Sequence, residues 1–282
     1  ILKKMQQAGM NMVVFDLGDG VKYESHPEIA VKGAWSTAEL RKELNRAIVK
    51  AKTDEARKEA LNRFKDQELF RIDMKHIVEP ETSLPDFSLA ISELAEVIVE
   101  RSLVDCQAKL TKLYGSPRLT NRKPCPYAIL GAGKFGGKEM GYASDIEVLF
   151  VYGGPGRTSG KQGIENSEYF ERLAQEFLQW IEAKQEGIFH IDVRLRPHGG
   201  KGSLANAFDE VCKYYSAEGQ AAPFERQALI KLRHIAGDAA LGKKVVFKHA
   251  GNWGVYQGLM QKGAYDIVFD GPHFNSWRVD RA

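Results

Sequence analysis

The sequence predicts an α+β protein, with a helical region followed by a mixed sheet flanked by further helices. Three observations carry this expectation. Apolar residues recur at helical spacing between Ser36 and Gly115. Two apolar runs, Tyr127–Leu130 and Val148–Tyr152, enclose a glycine-rich turn. Residues Phe189–Pro197 then alternate apolar and polar, which is the period of a half-buried strand.

The elements follow in order. Met10–Leu17 reads as a strand and Gly18-Asp19-Gly20 as a turn. Ser36 and Glu39 form a capping box, after which Leu40, Leu44 and Ile48 recur every four residues. Thr53-Asp54 starts a second helix, with Ala60, Leu61, Phe64, Leu69 and Ile72 on its buried side and Pro80 as its end. Ser83 caps a third, with Pro85 in its first turn, an apolar stripe from Phe87 to Val99, and Gly115 and Pro117 as stop signals. These three helices read as scaffold. A polar connector, Thr120–Pro126, leads to the glycine stretch. The glycine-rich segment after Tyr152 reads as an exposed, mobile loop. Asn166-Ser167 caps a helix carrying Phe170, Leu173, Ala174, Phe177, Leu178 and Ile181, which Gly187 closes. On the alternating strand, His190, Asp192, Arg194 and Arg196 share the polar face. Phe208–Tyr215 and Pro223–His234 read as helices, and Gly237 closes the second. The resulting division is 1–119 as a mainly helical segment, 120–240 as a core, and 241–282 as an unassigned tail.

Composition narrows the function classes. The chain has 282 residues, 27% charged and 43% hydrophobic, which is ordinary for a globular protein with an ample core. A net charge of only +3 argues against a nucleic-acid binder, since extended phosphate contact needs many Lys and Arg. No apolar run is long enough to span a membrane, and the N-terminus has no signal-peptide core. Cys106, Cys125 and Cys212 are widely spaced and match no metal pattern, so they read as reduced thiols of a cytoplasmic protein.

The chemistry centres on Tyr127–Tyr152. Gly131, Gly133 and Gly136 fit the spacing of a dinucleotide-binding turn, but two features reject that reading. Only Lys138–Ser144, interrupted by Gly141, separates the turn from the acids, too little for the required helix. Asp145 and Glu147 also lie at the near end of the second strand, whereas the ribose-binding acid of such folds sits at the far end. No Gly-Lys-Ser/Thr ends the turn, which excludes a P-loop. Glycines let backbone approach phosphates closely. Acids at i and i+2 of a strand face one side, where they can hold a divalent cation. Asp192 supplies a third carboxylate from another strand. Three carboxylates oppose one another's ionisation unless a cation neutralises them. Two metals about 3.5–4 Å apart, clamping a phosphoryl centre, need such a cluster. Together these features describe a nucleotidyltransferase site.

GAGKFGGKEMGYASDIEVLFVY (Gly131–Tyr152) resembles the signature of the glutamine synthetase adenylyltransferase family, within the DNA polymerase β-like nucleotidyltransferase superfamily. DVRLRPHGGKGSL (Asp192–Leu204) and FERQALIKLRHIAGD (Phe224–Asp238) are similar to that family's second and third blocks, and ALNRFKDQELFRID (Ala60–Asp73) to its preceding helical segment. The resemblance covers roughly residues 36–240. It implies a nucleotidyltransferase-fold mixed sheet and a magnesium-dependent enzyme, with two Mg²⁺ ions and ATP as substrate. The implied partner is glutamine synthetase, whose tyrosine hydroxyl receives AMP, together with a regulatory signalling protein. The family protein carries two such cores, one attaching AMP and one removing it by phosphorolysis; this chain matches one.

By position, the resemblance makes Asp145, Glu147 and Asp192 the catalytic and metal-binding acids. Gly131, Gly133, Gly136, Gly137 and Ser144 become the nucleotide-binding turn and its exit, with Lys134, Arg194, Arg196 and Lys231 as phosphate-neutralising cations. Arg226 lies in the same third block, and His190 reads as a bystander. Two positions depart from the family pattern: Glu147 stands where Asp is usual and Phe224 where Trp is usual. The alternatives are the deadenylylating half, an inactive regulatory module of the same fold, and an RNA nucleotidyltransferase.

Overall fold

The computed structural model describes residues 35–79, 83–183, 188–216 and 218–250, and the strands 266–269 and 277–280. The expected strand at Met10–Leu17, the turn at Gly18–Gly20, Pro80 and Gly187 lie outside the described residues. Residues Ser36–Ala282 belong to one compact unit.

Three helices open it, as the periodicity predicts. Helix α1 (Thr37–Val49) starts at the Ser36–Glu39 capping box and buries Leu40, Leu44 and Ile48. Helix α2 (Asp54–Val78) is capped by Thr53, whose hydroxyl accepts from the amide of Ala56 at 3.1 Å. Helix α3 (Leu84–Tyr114) begins at Ser83 with Pro85 in its first turn. Gly115 ends α3 at φ +82°, and a Cβ there would meet the Gly160 backbone at 2.2 Å, so the stop is both conformational and steric. Arg41 reaches Glu100 with two nitrogens, both at 2.7 Å, linking α1 to α3.

The central sheet contains β2 (Tyr127–Gly131), β3 (Ile146–Tyr152), β5 (Ile191–Asp192), β6 (Ala205–Ala207) and β7 (Arg233–Gly237). Its order is β5-β3-β2-β7, and β6 also lies beside β3. Strand β2 runs antiparallel to β3 and β7, while β5 and β6 run parallel to β3, so the sheet is mixed. One face carries Phe150, which meets Phe177 of α5 (Asn166–Trp180) edge-on at 5.3 Å between ring centroids, and Tyr152, which stacks on Phe170 of the same helix at 4.7 Å. The other face carries Ala128, Leu130, Leu149 and Val151, packed with Phe208 and Val211 of α6 (Phe208–Tyr214) and Leu241 and Val245 of α8 (Ala239–Ala250). Glu147 alternates with Leu149 and Val151, so it belongs to this second face, at the strand's entry.

Several expectations change. The alternating stretch Phe189–Pro197 is extended only at Ile191–Asp192. Beyond Val193 the chain turns, through His198 and Gly199 at φ +64° and +54°, and so the polar face breaks up. Arg196 points inward, buried, and donates to the carbonyls of Gly202 and Val193 at 3.0 and 2.8 Å. The helix expected over Pro223–His234 stops after α7 (Pro223–Ala228) and a single 3₁₀ turn at Leu229–Lys231. The chain then extends as β7, because its backbone pairs with β2. The glycine segment after Tyr152 contains β4 (Gly156–Thr158), paired antiparallel with β1 (Pro117–Leu119). Asn166 spends its side-chain amide on the carbonyls of Arg118 and Gly154, both at 3.0 Å, and caps nothing. In the tail, β8 (Asp266–Phe269) and β9 (Trp277–Asp280) pair antiparallel. Among the described residues no helix is long and apolar enough to cross a membrane.

The three cysteines are all buried. Cys106 sits on α3, Cys125 in the connector with its thiol 3.7 Å from the Gly154 carbonyl, and Cys212 on α6.

Candidate active site

The glycine stretch forms a single helical turn, α4 (Gly133–Gly136), between β2 and β3. The amide of Ala132 donates to the Glu147 carbonyl at 2.9 Å, which ties the turn to the acid-bearing strand. Gly133 has φ +50°, and a Cβ there would lie 1.6 Å from Glu147 Oε2. The glycine therefore makes room for a carboxylate. At Gly136 a Cβ would meet the carbonyl of Lys231 at 2.1 Å, so this glycine seats the turn against the 3₁₀ segment. At Gly131 a Cβ would crowd Phe135 and Ile235, and at Gly137 it would touch Glu139 and Lys231. The turn then exits through Gly141–Ser144, where the buried Ser144 accepts from the Gly141 amide at 2.8 Å.

The two halves of the site meet. Strands β3 and β5 pair in parallel with Ile146 opposite Ile191 and Glu147 opposite Asp192. Residues opposed on neighbouring strands project from the same face. The pairing continues through the Ile146 amide, which donates to the His190 carbonyl at 2.8 Å. Asp145 lies two residues before Glu147, with its Oδ1 3.8 Å from His190 Nδ1.

Electrostatics separate the acids. Burial raises the Glu147 carboxyl above its ordinary value, and the charges of Asp192 and Asp145 raise it further. Burial also works against ionised Asp192, but hydrogen bonds from Arg194 outweigh it and hold that carboxyl below the usual range. Arg194 donates to Asp192 through its backbone amide at 2.8 Å and through Nε and Nη2 at 2.9 and 2.6 Å. Lys134 is exposed on the turn and acts on Glu147 in the opposite sense to the acids.

The cations assigned on resemblance therefore part company. Lys134 and Arg194 stand at the acids. Lys231 is engaged by Glu139 at 2.5 Å, on the far side of the turn, and Arg196 closes its own turn. Arg226 donates to the Gly219 carbonyl at 3.0 Å. The sequence reading passed over Arg233, within the third block, whose guanidinium touches the carbonyls of Phe135 and Gly136. Nothing local marks it, because the contact exists only once β7 lies beside β2.

The donor set suits a hard divalent cation: three carboxylates gather at one strand end, and their mutual repulsion is visible in Glu147. As they stand, they do not close on a common point. Among the described residues no group of three His, Cys, Asp or Glu is arranged to hold a metal. The oxygens of Asp192 are taken by Arg194 instead.

Residues 25–247 match the family model of glutamate-ammonia ligase adenylyltransferase. The chain is 33% identical over 203 residues to the bifunctional glutamine synthetase adenylyltransferase/adenylyl-removing enzyme of Thioalkalivibrio sulfidiphilus, covering 71% of this chain and 21% of that protein. The protein of the same name from Methylococcus capsulatus is 36% identical over 156 residues, covering 55% and 16%. That from Hahella chejuensis is 32% identical over 211 residues, covering 71% and 21%. The chain spans about a fifth of the length of these curated relatives.

Proposed function

The chain belongs to the glutamate-ammonia ligase adenylyltransferase family, and from that premise we propose that it transfers AMP from ATP to a tyrosine hydroxyl of glutamine synthetase. The observation that carries the reading is the matched register of Glu147 and Asp192 beside the glycine turn.

In this reading the triphosphate lies over the Gly131–Gly137 turn, whose glycines let it fold tightly against Glu147 and Lys231. Asp145, Glu147 and Asp192 would hold the magnesium ions, Asp192 exchanging Arg194 for a cation. Those ions, when bound, supply charge neutralisation and lower the pKa of the attacking hydroxyl. Asp192 orients the tyrosyl hydroxyl and draws off its proton. The oxygen attacks the α-phosphorus in line, the bond to the β-phosphate oxygen breaks, and pyrophosphate leaves. Lys134 and the released Arg194 offset phosphate charge.

The relatives' names also carry adenylyl removal, so the reverse direction is the second reading. There the same acids would serve phosphate attack on adenylyl-tyrosine, releasing ADP. The deciding experiment runs both directions. The chain is incubated with unmodified glutamine synthetase and α-labelled ATP·Mg²⁺, and separately with modified glutamine synthetase and phosphate. Label on the synthetase supports transfer. ADP release alone overturns it in favour of removal, and neither product sinks both readings in favour of an inactive module.

A further inference from the structure

Arg233 opens β7 directly opposite Gly131, the residue at which β2 enters the glycine turn. Its guanidinium reaches across that turn. Nε donates to the Gly136 carbonyl at 2.8 Å and Nη2 to the Phe135 carbonyl at 3.0 Å. The same group lies 5.9 Å from the centre of the Phe135 ring. Its remaining nitrogen, Nη1, sits 2.7 Å from Oε1 of Glu96, a side chain buried on α3. One planar group thus joins the scaffold helix, the edge strand and the turn.

Helix α3 holds the rest of the segment as well. Lys138, in the left-handed region at φ +58°, stands 3.5 Å from Glu96 and 3.7 Å from Glu93. The amide of Met140 donates to Ser92 Oγ at 3.3 Å. Ser92, Glu93 and Glu96 lie on one face of the helix, since residues three and four apart are neighbours. The long helix therefore does more than cover the sheet: it sets where the chain leaves the glycine turn.

We propose that Arg233, held by Glu96, is a positioning residue that fixes the Gly133–Gly136 turn in the conformation that receives the nucleotide phosphates. The inference rests on the transfer reading above. Arg233 spends two of its N–H groups on the turn's own carbonyls and sets its charge beside Glu96. Its role is geometric. A lysine would keep the charge beside Glu96 but cannot span two carbonyls in the plane of a guanidinium. Misplacing the turn by about 1 Å costs as much as a hundredfold in rate or affinity.

The test is R233K in the full chain, read by amide hydrogen exchange and by the KM for ATP against kcat. Exchange over residues 134–138 should accelerate while β2 and β3 stay protected, and the KM for ATP should rise about tenfold with kcat changed far less. Rescue by lysine, with exchange and KM both unchanged, overturns the proposal, as it would show that only the charge matters. If R233K fails to fold, E96Q, which keeps the shape of Glu96 and removes its charge, is subject to the same two outcomes. If the unsubstituted chain shows no affinity for ATP, the transfer reading fails. Exchange in the turn then decides alone whether Arg233 positions it.

Discussion

Glu147 and Asp192 stand opposite one another on parallel strands, and their surroundings push their carboxyls in opposite directions. Glu147, half-buried and facing two other acids, resists ionisation, whereas Asp192, wrapped by Arg194, gives up its proton readily. Such a pairing is consistent with the proposal above that these acids hold a cation.

The cost of ionising Glu147, set by burial first and by Asp192 and Asp145 second, should be measurable as stability. Well below its ordinary value of 4.5 the group is protonated in both folded and unfolded states and contributes nothing. As pH rises through that value the unfolded chain releases the proton first, so folding loses stability up to the raised folded pKa. Glu147→Gln should therefore raise the melting temperature at neutral pH. The gain should fade as pH falls below about 4.5 in a thermal-melt series, because the penalty is present only above the unfolded pKa. AMP transfer should fall at least about a hundredfold in the same variant. A neutral-pH melt no higher than that of the unsubstituted chain would show that burial and the neighbouring acids do not penalise ionised Glu147.

Gly133→Ala places a Cβ 1.6 Å from the Glu147 carboxylate and requires an alanine at φ +50°. The left-handed conformation alone costs about 1–2 kcal/mol. Denaturant melts should show a loss of at least that size, together with loss of transfer as Glu147 is displaced. Gly200→Ala is the control, since nothing lies within 4 Å of its added Cβ, and both measurements should be unchanged.

Arg194 and Arg196 should behave differently despite sharing a parity along the chain. Arg196→Ala leaves the half-buried carbonyls of Val193 and Gly202 without their charged donor and should destabilise by about 2 kcal/mol. Arg194→Ala, at a side chain 80% exposed, should leave the neutral-pH melt nearly unchanged and alter ATP kinetics instead. Equal destabilisation in the two variants would mean that the turn after Asp192 is held differently.

Magnesium with a non-hydrolysable ATP analogue should raise the melting temperature of the unsubstituted chain. Mass action gives about 2.7 kcal/mol at a hundredfold excess over Kd. Asp192→Asn should abolish most of that shift. Retention of the full shift would remove Asp192 from the ion-holding set.

Where the sequence was readable, local chemistry set the outcome. Ser36 with Glu39, Ser83 with Pro85, and Gly115 mark helix ends through contacts within a few residues, and the helices begin and stop there. Gly133 and the acids were legible as a group because their spacing is short. The unread parts depend on distant partners. RHIAG became a strand because β2 offered a free edge, although its apolar residues continue the preceding helical pattern. The polar row at Phe189–Pro197 looked continuous, but only Ile191–Asp192 is claimed by β3, and the rest bends to bury Arg196. Arg233 and Glu96 are far apart in the chain and carry no motif, so only the packed fold reveals them.

The distribution of buried thiols gives the molecule three built-in clocks. Cys106 lies in the helical layer, Cys125 where the connector meets Gly154, and Cys212 behind the sheet. Burial holds the thiols of Cys106 and Cys125 above their ordinary value, so a labelling reagent meets reactive thiolate only when the surrounding layer opens. Pulsed alkylation followed by peptide mapping would time the three openings separately in one sample, without a single substitution. It would show whether the acid-bearing sheet breathes with its helical scaffold or on its own schedule.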